Sequence, residues 1–308
     1  MANAAGLVLS SPAKLNLFLE VLGPLPGGYH ELLTVFERIS LCDTIRLTPL
    51  ASPEILIRSA SKDIPCDRHN LAFRAAELAL KAAQLRKGVL IEIHKNIPVG
   101  AGMGGGSSNA AAVLLGMNRL FQLGLDKAVL LRLADELGSD VAFFVGGRRF
   151  AVGRDRGNEL TYPQIPARIK FWHVLFVAHR NLITKDVYFR FDQAQKARKT
   201  GQNTAGSFRL TKKIEDVNIL LSYLKKADIV SLNKKIYNRL SETVIDSYSF
   251  VSALKADLSK QGIQNVHMSG SGPTLFVIAK NQQDAQRVYD LARLRLSDRC
   301  RVFLAGTV

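Results

Sequence analysis

A glycine-rich segment at residues 98–109 contains the residue types needed to bind phosphate. Five of the seven positions 100–106 are glycine. Glycines let the backbone approach an anion closely, and such a loop can turn its N–H groups toward it. An apolar helical run follows at residues 110–117, for which Ser107 or Ser108 is the expected N-cap. Because the N–H groups and positive dipole of a helix start favour phosphate, we predict a nucleotide triphosphate site here.

Other interpretations of this loop are weaker. Glycine-rich turns also serve as hinges, but glycines, paired serines and an apolar helix in that order favour phosphate binding. No Gly-Lys-Ser/Thr sequence closes the loop, so it is not a Walker A loop. Pro98 at its start, with no acidic residue at the expected later position, also argues against a dinucleotide fingerprint.

A lysine and an aspartate elsewhere in the chain could act on the bound phosphate. Lys14 and Asn16 are two residues apart in an apolar run, so on a strand they share a face, which could equally be an edge facing water. Asp140 precedes the apolar residues 141–144, where a carboxylate often only stabilises a turn. An ammonium and a carboxylate beside a phosphate loop would also suit phosphoryl transfer.

Several segments resemble the motifs of the GHMP kinase superfamily. The loop at 98–109 is similar to its phosphate-binding motif, residues 12–17 to its N-terminal motif, and residues 266–278 to its third motif, which is expected to pack against the loop. Residues 138–144 are similar to the segment around its catalytic aspartate, although Ala142 stands where proline is usual. The resemblance implies an ATP-dependent small-molecule kinase.

The resemblance also implies the architecture. We expect an α+β fold with two GHMP kinase domains and with the ATP and substrate sites in the cleft between them. The N-terminal domain is expected at residues 1–163 and the C-terminal domain at residues 164–308, because the proline-containing segment at 160–168 is the best linker candidate.

The run Gly28-Tyr29-His30-Glu31-Leu32 is typical of one branch of this superfamily. Its members phosphorylate the 2-hydroxyl of 4-diphosphocytidyl-2-C-methyl-D-erythritol in non-mevalonate isoprenoid biosynthesis, and their Tyr and His contact the cytosine. Taken alone, such residues more often belong to a turn. A flat ring and a ring with two hydrogen-bonding nitrogens are nevertheless suited to a base.

The resemblance assigns roles to individual residues. Lys14 and Asp140 are the expected catalytic residues, the lysine stabilising the γ-phosphoryl group and the aspartate accepting the hydroxyl proton. The residues expected to bind ATP are Asn70, Lys95, Pro98, Val99, Gly100, Ala101, Gly102, Met103, Gly104, Gly105, Gly106, Ser107, Ser108 and Asn109. Those expected to bind the substrate are Asn16, Tyr29, His30, Thr184 and Tyr188. Mg²⁺ is the expected metal, with a hydroxyl of Ser107 or Ser108 as a candidate ligand.

Some of these residues also have structural interpretations. Asn70 could be a helix cap and Lys95 a charge at a strand end. Thr184 and Tyr188 could equally be a cap and a core aromatic. Two alternative functions stay open as well: another GHMP kinase, of the homoserine or mevalonate type, and a basic nucleic-acid-binding module without enzymatic activity.

The composition limits the choice of partners. The net charge is +16, and residues 185–240 contain thirteen Lys and Arg against five Asp and Glu, which supplies half of it. Few aromatics interleave with these charges, so we expect a solvated basic face and no nucleic-acid partner. No apolar run is long enough for a membrane span, and the scattered cysteines favour a reducing compartment. We therefore expect a cytoplasmic monomer or homodimer with a small-molecule substrate.

Sequence periodicity predicts the elements that would position the site. Two strand segments at 7–9 and 15–21 are expected around a bend at Pro12, and a turn at 27–32 before a strand at 34–39. The other expected strands are 44–47, 54–58, 89–95, 171–178 and 301–304, and residues 266–278 are expected to be a small-residue turn between strand segments. The expected helices are 70–84, 110–117, 126–137, one beginning at 184, 216–226, 231–239, 250–261 and 284–294.

Overall fold

The computed structural model describes residues 6–199 and 206–308, which form two compact units. The first comprises the residues up to Lys14, Leu41–Val99 and Gly104–Arg148. The second comprises Leu15–Ser40, Gly100–Met103 and Arg149–Val308. Both units combine helices with antiparallel strands, so the predicted α+β class is confirmed. The predicted boundary between residues 163 and 164 stays a prediction.

Two long strands have residues in both units. They are β1 (Leu7–Leu25) and β2 (Tyr29–Leu50), separated by a short turn at Pro26–Gly28. The predicted bend at Pro12 is wrong, because the fixed φ of proline is compatible with extended backbone and β1 continues through it. The turn predicted at residues 27–32 is also too long, since β2 already begins at Tyr29.

The remaining elements of the first unit are two strands and four helices. They are β3 (Ile55–Ser59), α1 (Leu71–Ala82), β4 (Gly88–His94), α2 (Gly105–Leu120), α3 (Lys127–Leu137) and α4 (Ser139–Gly146). β4 pairs antiparallel with residues 44–50 of β2 and parallel with β3. α1 packs against α2, and both bury alanine-rich faces, which lets the helices approach closely.

Two helices of the first unit have the predicted N-caps. Asn70 caps α1 by accepting a hydrogen bond from the N–H of Ala72 (3.0 Å). Asp126 caps α3 by accepting from the N–H of Val129 (2.8 Å), and Gly138 follows its last residue. Short polar side chains at these positions satisfy N–H groups that the helix itself leaves unpaired.

The second unit contains a sheet with helices packed around it. Its further strands are β5 (Phe150–Arg154), β6 (Glu159–Thr161), β7 (Trp172–Ala178), β8 (Tyr237–Asn238), β9 (His267–Met268), β10 (Leu275–Ala279) and β11 (Cys300–Gly306). Its helices are α5 (Thr184–Lys199), α6 (Gly206–Lys226), α7 (Ile229–Lys235), α8 (Ser241–Ser247), α9 (Ser249–Lys260) and α10 (Gln282–Leu296). Four of these strands form an antiparallel sheet, in the order β11-β7-β10-β9.

The same unit holds a hydrophobic core. Val174 and Phe176 of β7 and Leu275 and Val277 of β10 are buried with apolar residues of α5, α8, α9 and α10. β5 pairs with residues 34–37 of β2, and β8 pairs in parallel with residues 18–19 of β1. α8 was not predicted, because its short sequence shows little apolar periodicity.

His267 of β9 gives this unit a pH-dependent stability. Burial and the positive charge of Lys255 lower the pKa of His267 to about 4, from an ordinary value of 6.5. Between these values the unfolded chain binds the proton and the folded chain does not, so the free energy of unfolding falls as the pH falls. From pH 7 to pH 4.5 we expect a loss of about 2 to 3 kcal/mol from this residue alone.

His267→Gln removes this titration and retains an N–H donor for Asn233, whose side chain bonds the ring at 3.0 Å. We therefore expect the difference in unfolding free energy between wild type and variant to change over this pH range, as measured by urea denaturation. His94 is exposed, so His94→Gln is a control expected to show no such change. A wild-type minus His267→Gln difference that is constant with pH would contradict the prediction.

Candidate active site

The phosphate loop passes into α2 earlier than predicted. α2 begins at Gly105, and its N-cap is Gly104 in the left-handed conformation (φ +68°), without a side-chain cap. The N-cap prediction for residues 107–108 is therefore wrong. A Cβ at position 104 would lie 3.2 Å from Lys14 Cγ and Cε and from Phe144 Cε2. Glycine allows both this conformation and this close approach, and it leaves the first N–H groups of the helix without a side-chain cap.

Lys14 and Asp140 form an ion pair within the first unit. Lys14 Nζ lies 3.4 Å from Asp140 Oδ2, and the side chains are 6% and 31% exposed. Asp140 lies in the first turn of α4, where the helix dipole stabilises a negative charge. Because Lys14 also lies against Gly104, the structure brings an ammonium and a carboxylate to the start of the phosphate helix.

A buried carboxylate that was not predicted lies behind the phosphate loop. Asp43 is fully buried and accepts hydrogen bonds from the backbone N–H groups of Asn96 (2.7 Å) and Ile97 (2.8 Å). It also pairs with Lys95 and accepts from Asn109 Nδ2 (2.8 Å). Several donors compensate the cost of burying this charge. Asp43 therefore joins the end of β4 to the first turn of α2.

The network continues through side chains that were predicted to bind ATP. Asn109 also donates to Ser11 Oγ (2.8 Å), and Ser11 donates to Ser108 Oγ (2.8 Å). Lys95 Nζ donates to Asn109 Oδ1 (3.3 Å), and its side chain is 7% exposed. Asn70 caps α1, as described above. These side chains are thus held by protein groups, and their contacts with ATP stay predictions.

In the second unit, the third motif (residues 266–278) holds the glycine-rich residues 100–103. Thr274 Oγ1 donates to the carbonyl of Ala101 (2.6 Å), and Ser269 Oγ donates to the carbonyl of Gly102 (3.3 Å). The prediction that this motif packs against the loop is confirmed for these residues.

Two predicted substrate residues contact the same motif. The backbone N–H of Asn16 donates to Ser269 Oγ (3.2 Å), and its side-chain amide donates to Thr34 Oγ1 (2.8 Å). Thr184 Oγ1 and Ser271 Oγ are hydrogen-bonded at 3.0 Å. The third motif therefore fixes the positions of Asn16 and Thr184 as well as the loop.

The predicted base-binding residues form an aromatic group in the second unit. His30 and Tyr188 are stacked, with ring centroids 4.8 Å apart and planes at 27°. His30 Nε2 lies 2.8 Å from Asp192 Oδ1. Tyr29, the preceding residue of β2, is 53% exposed. The guanidinium carbon of Arg156 lies over the Tyr29 ring, 5.3 Å from the ring centroid. An exposed aromatic ring can stack on a base, and an imidazole can contact the edge of a base.

Sequence reasoning missed Asp43 and Asp192. Asp43 stands alone in its segment, and Asp192 lies in a helix with several charges, so no motif marks either residue. Their partners, Lys95 and His30, were assigned to ligands instead. Asp43 and Asp192 can be identified only from their contacts with segments that are distant in the sequence.

No group of three or more His, Cys, Asp or Glu side chains in residues 6–199 and 206–308 is arranged to hold a metal ion. In the same ranges, no helix combines the length and the apolar character that crossing a membrane requires.

Comparison with known proteins defines the class of this chain. Residues 70–148 match the family model for the GHMP kinases N terminal domain, and residues 220–294 match the model for the GHMP kinases C terminal domain. The first match contains α1 to α4, including the start of the phosphate helix and Asp140. The fold and the loop are thus those of a GHMP kinase, a class of enzymes that use ATP.

Individual relatives narrow the assignment. The chain is 36% identical to the 4-diphosphocytidyl-2-C-methyl-D-erythritol kinase of Syntrophomonas wolfei subsp. wolfei, over 98% of each chain. It is 38% identical to that of Thermosynechococcus vestitus, over 94% of this chain and 93% of the relative. A crystal structure of 4-(cytidine 5'-diphospho)-2C-methyl-D-erythritol kinase aligns with a TM-score of 0.75 and 30% identity, covering 97% of this chain and 98% of the other. The chain belongs to the 4-diphosphocytidyl-2-C-methyl-D-erythritol kinase family.

Proposed function

We propose that this protein transfers the γ-phosphoryl group of ATP to the 2-hydroxyl of 4-diphosphocytidyl-2-C-methyl-D-erythritol, giving the 2-phosphate and ADP. The observation that carries the proposal is the Lys14–Asp140 pair at 3.4 Å, beside the glycine that begins the phosphate helix. The substrate is taken from the names of the relatives. No comparable observation favours the two alternative functions, a homoserine- or mevalonate-type kinase and a nucleic-acid-binding module.

In this proposal, backbone groups bind the phosphates of ATP. The N–H of Ser108 bonds to the carbonyl of Gly104 (2.9 Å), so the N–H groups of residues 105–107 precede the first intrahelical bond of α2. Together with the helix dipole they favour a bound anion. The network around Asp43 holds the first turn of α2 from behind. The loop can therefore bind the β- and γ-phosphates without rearranging its backbone.

Lys14 and Asp140 have complementary roles in the transfer. The ammonium of Lys14 stabilises the negative charge on the oxygens of the transferred group. The carboxylate of Asp140 accepts a hydrogen bond from the substrate hydroxyl, orients it toward phosphorus, and takes its proton as the new bond forms. The pairing with Lys14 holds this carboxylate in place.

Ser107 and Ser108 are the residues that could hold Mg²⁺, which would supply charge neutralisation for the phosphates of ATP. Ser107 is the residue whose hydroxyl fits this ion, because Ser108 Oγ is buried and already accepts from Ser11. No acidic cluster in the described ranges competes for the role. Mg²⁺ commonly keeps several waters and binds substrate phosphates, so it needs few ligands from the protein.

The second unit would bind the substrate. Tyr29 and His30 contact the cytosine, Thr184 and Tyr188 the cytidine diphosphate portion, and Asn16 the accepting end. The stacking of His30 on Tyr188 and the hydrogen bonds of Asn16 and Thr184 support this assignment by fixing the side chains. A cytoplasmic location and a monomeric or homodimeric state stay predictions.

A substrate panel tests the proposed function. The purified protein is incubated with Mg²⁺, γ-labelled ATP and either 4-diphosphocytidyl-2-C-methyl-D-erythritol, homoserine or mevalonate, and the product is identified by phosphorus NMR. We expect a new phosphate monoester only on the cytidine-linked alcohol. Preferred transfer to either of the other alcohols, or to none of the three, would contradict the proposal.

A further inference from the structure

Asp192 of α5 holds one nitrogen of His30. Its Oδ1 lies 2.8 Å from Nε2 of His30, whose side chain is 8% exposed while that of Asp192 is 43% exposed. Tyr188 stacks on the same imidazole, and Phe191 meets it edge-on with centroids 6.5 Å apart. The position and plane of the His30 ring are therefore fixed by three residues of one helix.

The carboxylate also selects the tautomer of the ring. An ionised carboxylate only accepts hydrogen bonds, so Nε2 must carry the hydrogen. In a neutral imidazole the other nitrogen, Nδ1, then has a free lone pair. Within residues 6–199 and 206–308, Nδ1 of His30 has no hydrogen-bond partner, and it is not among the fully buried polar atoms that lack one. This acceptor is available to a ligand.

We infer that Asp192 is a positioning residue that makes His30 selective for cytosine over uracil. The inference rests on the proposed function, in which His30 contacts the base. Cytosine carries an exocyclic amino group, a donor, where uracil carries a carbonyl oxygen, an acceptor. The lone pair at Nδ1 accepts a hydrogen bond from the amino group of cytosine. With uracil, Nδ1 would lie against the carbonyl oxygen, and because both atoms are acceptors no hydrogen bond can form.

A purely structural role for Asp192 makes a different prediction. A partly exposed carboxylate hydrogen-bonded to one side chain contributes little to stability, and its loss would affect the activities with both bases equally. If Asp192 selects the tautomer, its loss instead changes the ratio of the activities with the cytosine and uracil substrates, and it changes which ring nitrogen of His30 carries the proton. Both quantities can be measured, and a structural role alone would move neither.

The first test compares substrates. For Asp192→Ala we expect the preference in kcat/KM for the cytidine-linked alcohol over its uridine analogue to fall about tenfold or more, as for the loss of one oriented hydrogen bond. The change should appear mainly in KM. Asp186 lies on the same helix, is similarly exposed (42%) and is also hydrogen-bonded, so Asp186→Ala is a matched control expected to keep the preference.

The second test observes the tautomer directly. Nitrogen-15 NMR of histidine-labelled wild-type protein, in mildly alkaline buffer where an ordinary imidazole is neutral, should show the His30 proton on Nε2. Asp192→Ala should show a mixture of tautomers. A wild-type proton on Nδ1, or an unchanged base preference in a folded Asp192→Ala variant, would overturn the inference while leaving the proposed function intact. Phosphorylation of neither alcohol would overturn the proposed function, and the inference with it.

Discussion

Replacing Asp140 by asparagine is expected to lower kcat about a thousandfold, the usual range for loss of a general base in contact with the reacting hydroxyl. Asparagine has nearly the same size, so it can occupy the site at the start of α4. It cannot accept the proton, however, and it removes the charge that pairs with Lys14. Since the loop binds ATP through other atoms, KM for ATP should stay within about threefold of wild type. Steady-state kinetics with both substrates measures these quantities.

The control is the same substitution on a neighbouring helix. Asp126 caps α3 through a single hydrogen bond, and asparagine is an equally good cap. Asp126→Asn should therefore have nearly wild-type kinetics. Thermal unfolding of both variants checks that neither loses its fold. If Asp140→Asn were folded and retained a kcat close to that of wild type, Asp140 could not be the residue that receives the proton.

The sequence was informative where local chemistry decides the structure. Asn70 and Asp126 cap their helices, and Gly138 ends α3, because these interactions involve residues only two to four positions apart. The resemblance to known motifs placed Lys14, Asp140 and the loop in one site, and the structure brings Lys14, Asp140 and Gly104 together within one unit. Their roles with ligands stay predictions.

Local patterns failed where distant segments pair. The start of α2 was misplaced because the need for glycine at position 104 arises from Lys14, which is ninety residues earlier. Asp43 and Asp192 have no signature in their own segments. In each case the deciding contact lies far away in the sequence.

Gly102→Ala is expected to lower kcat/KM about 100-fold or more, the cost of displacing groups in a site by about an ångström. A Cβ at position 102 would lie 2.6 Å from the carbonyl oxygen of Ser269 and 2.9 Å from that of Gly272. Both are backbone atoms of the third motif, so no side chain can turn away to make room. Either the loop or the motif must move, and the hydrogen bond from Thr274 to Ala101 would be strained with it. Kinetics with varied ATP and varied substrate measures the loss.

Gly262→Ala separates this clash from the cost of backbone conformation. Gly262 has φ +76°, against +75° for Gly102, but its Cβ would meet no atom within 4 Å. Both variants incur the strain of a left-handed alanine, about 1 to 2 kcal/mol, whereas only Gly102→Ala forces two motifs apart. We therefore expect similar losses of stability from strain and a large loss of activity in one variant alone. Equal activities would mean that the contact between loop and third motif does not set the position of the phosphate site.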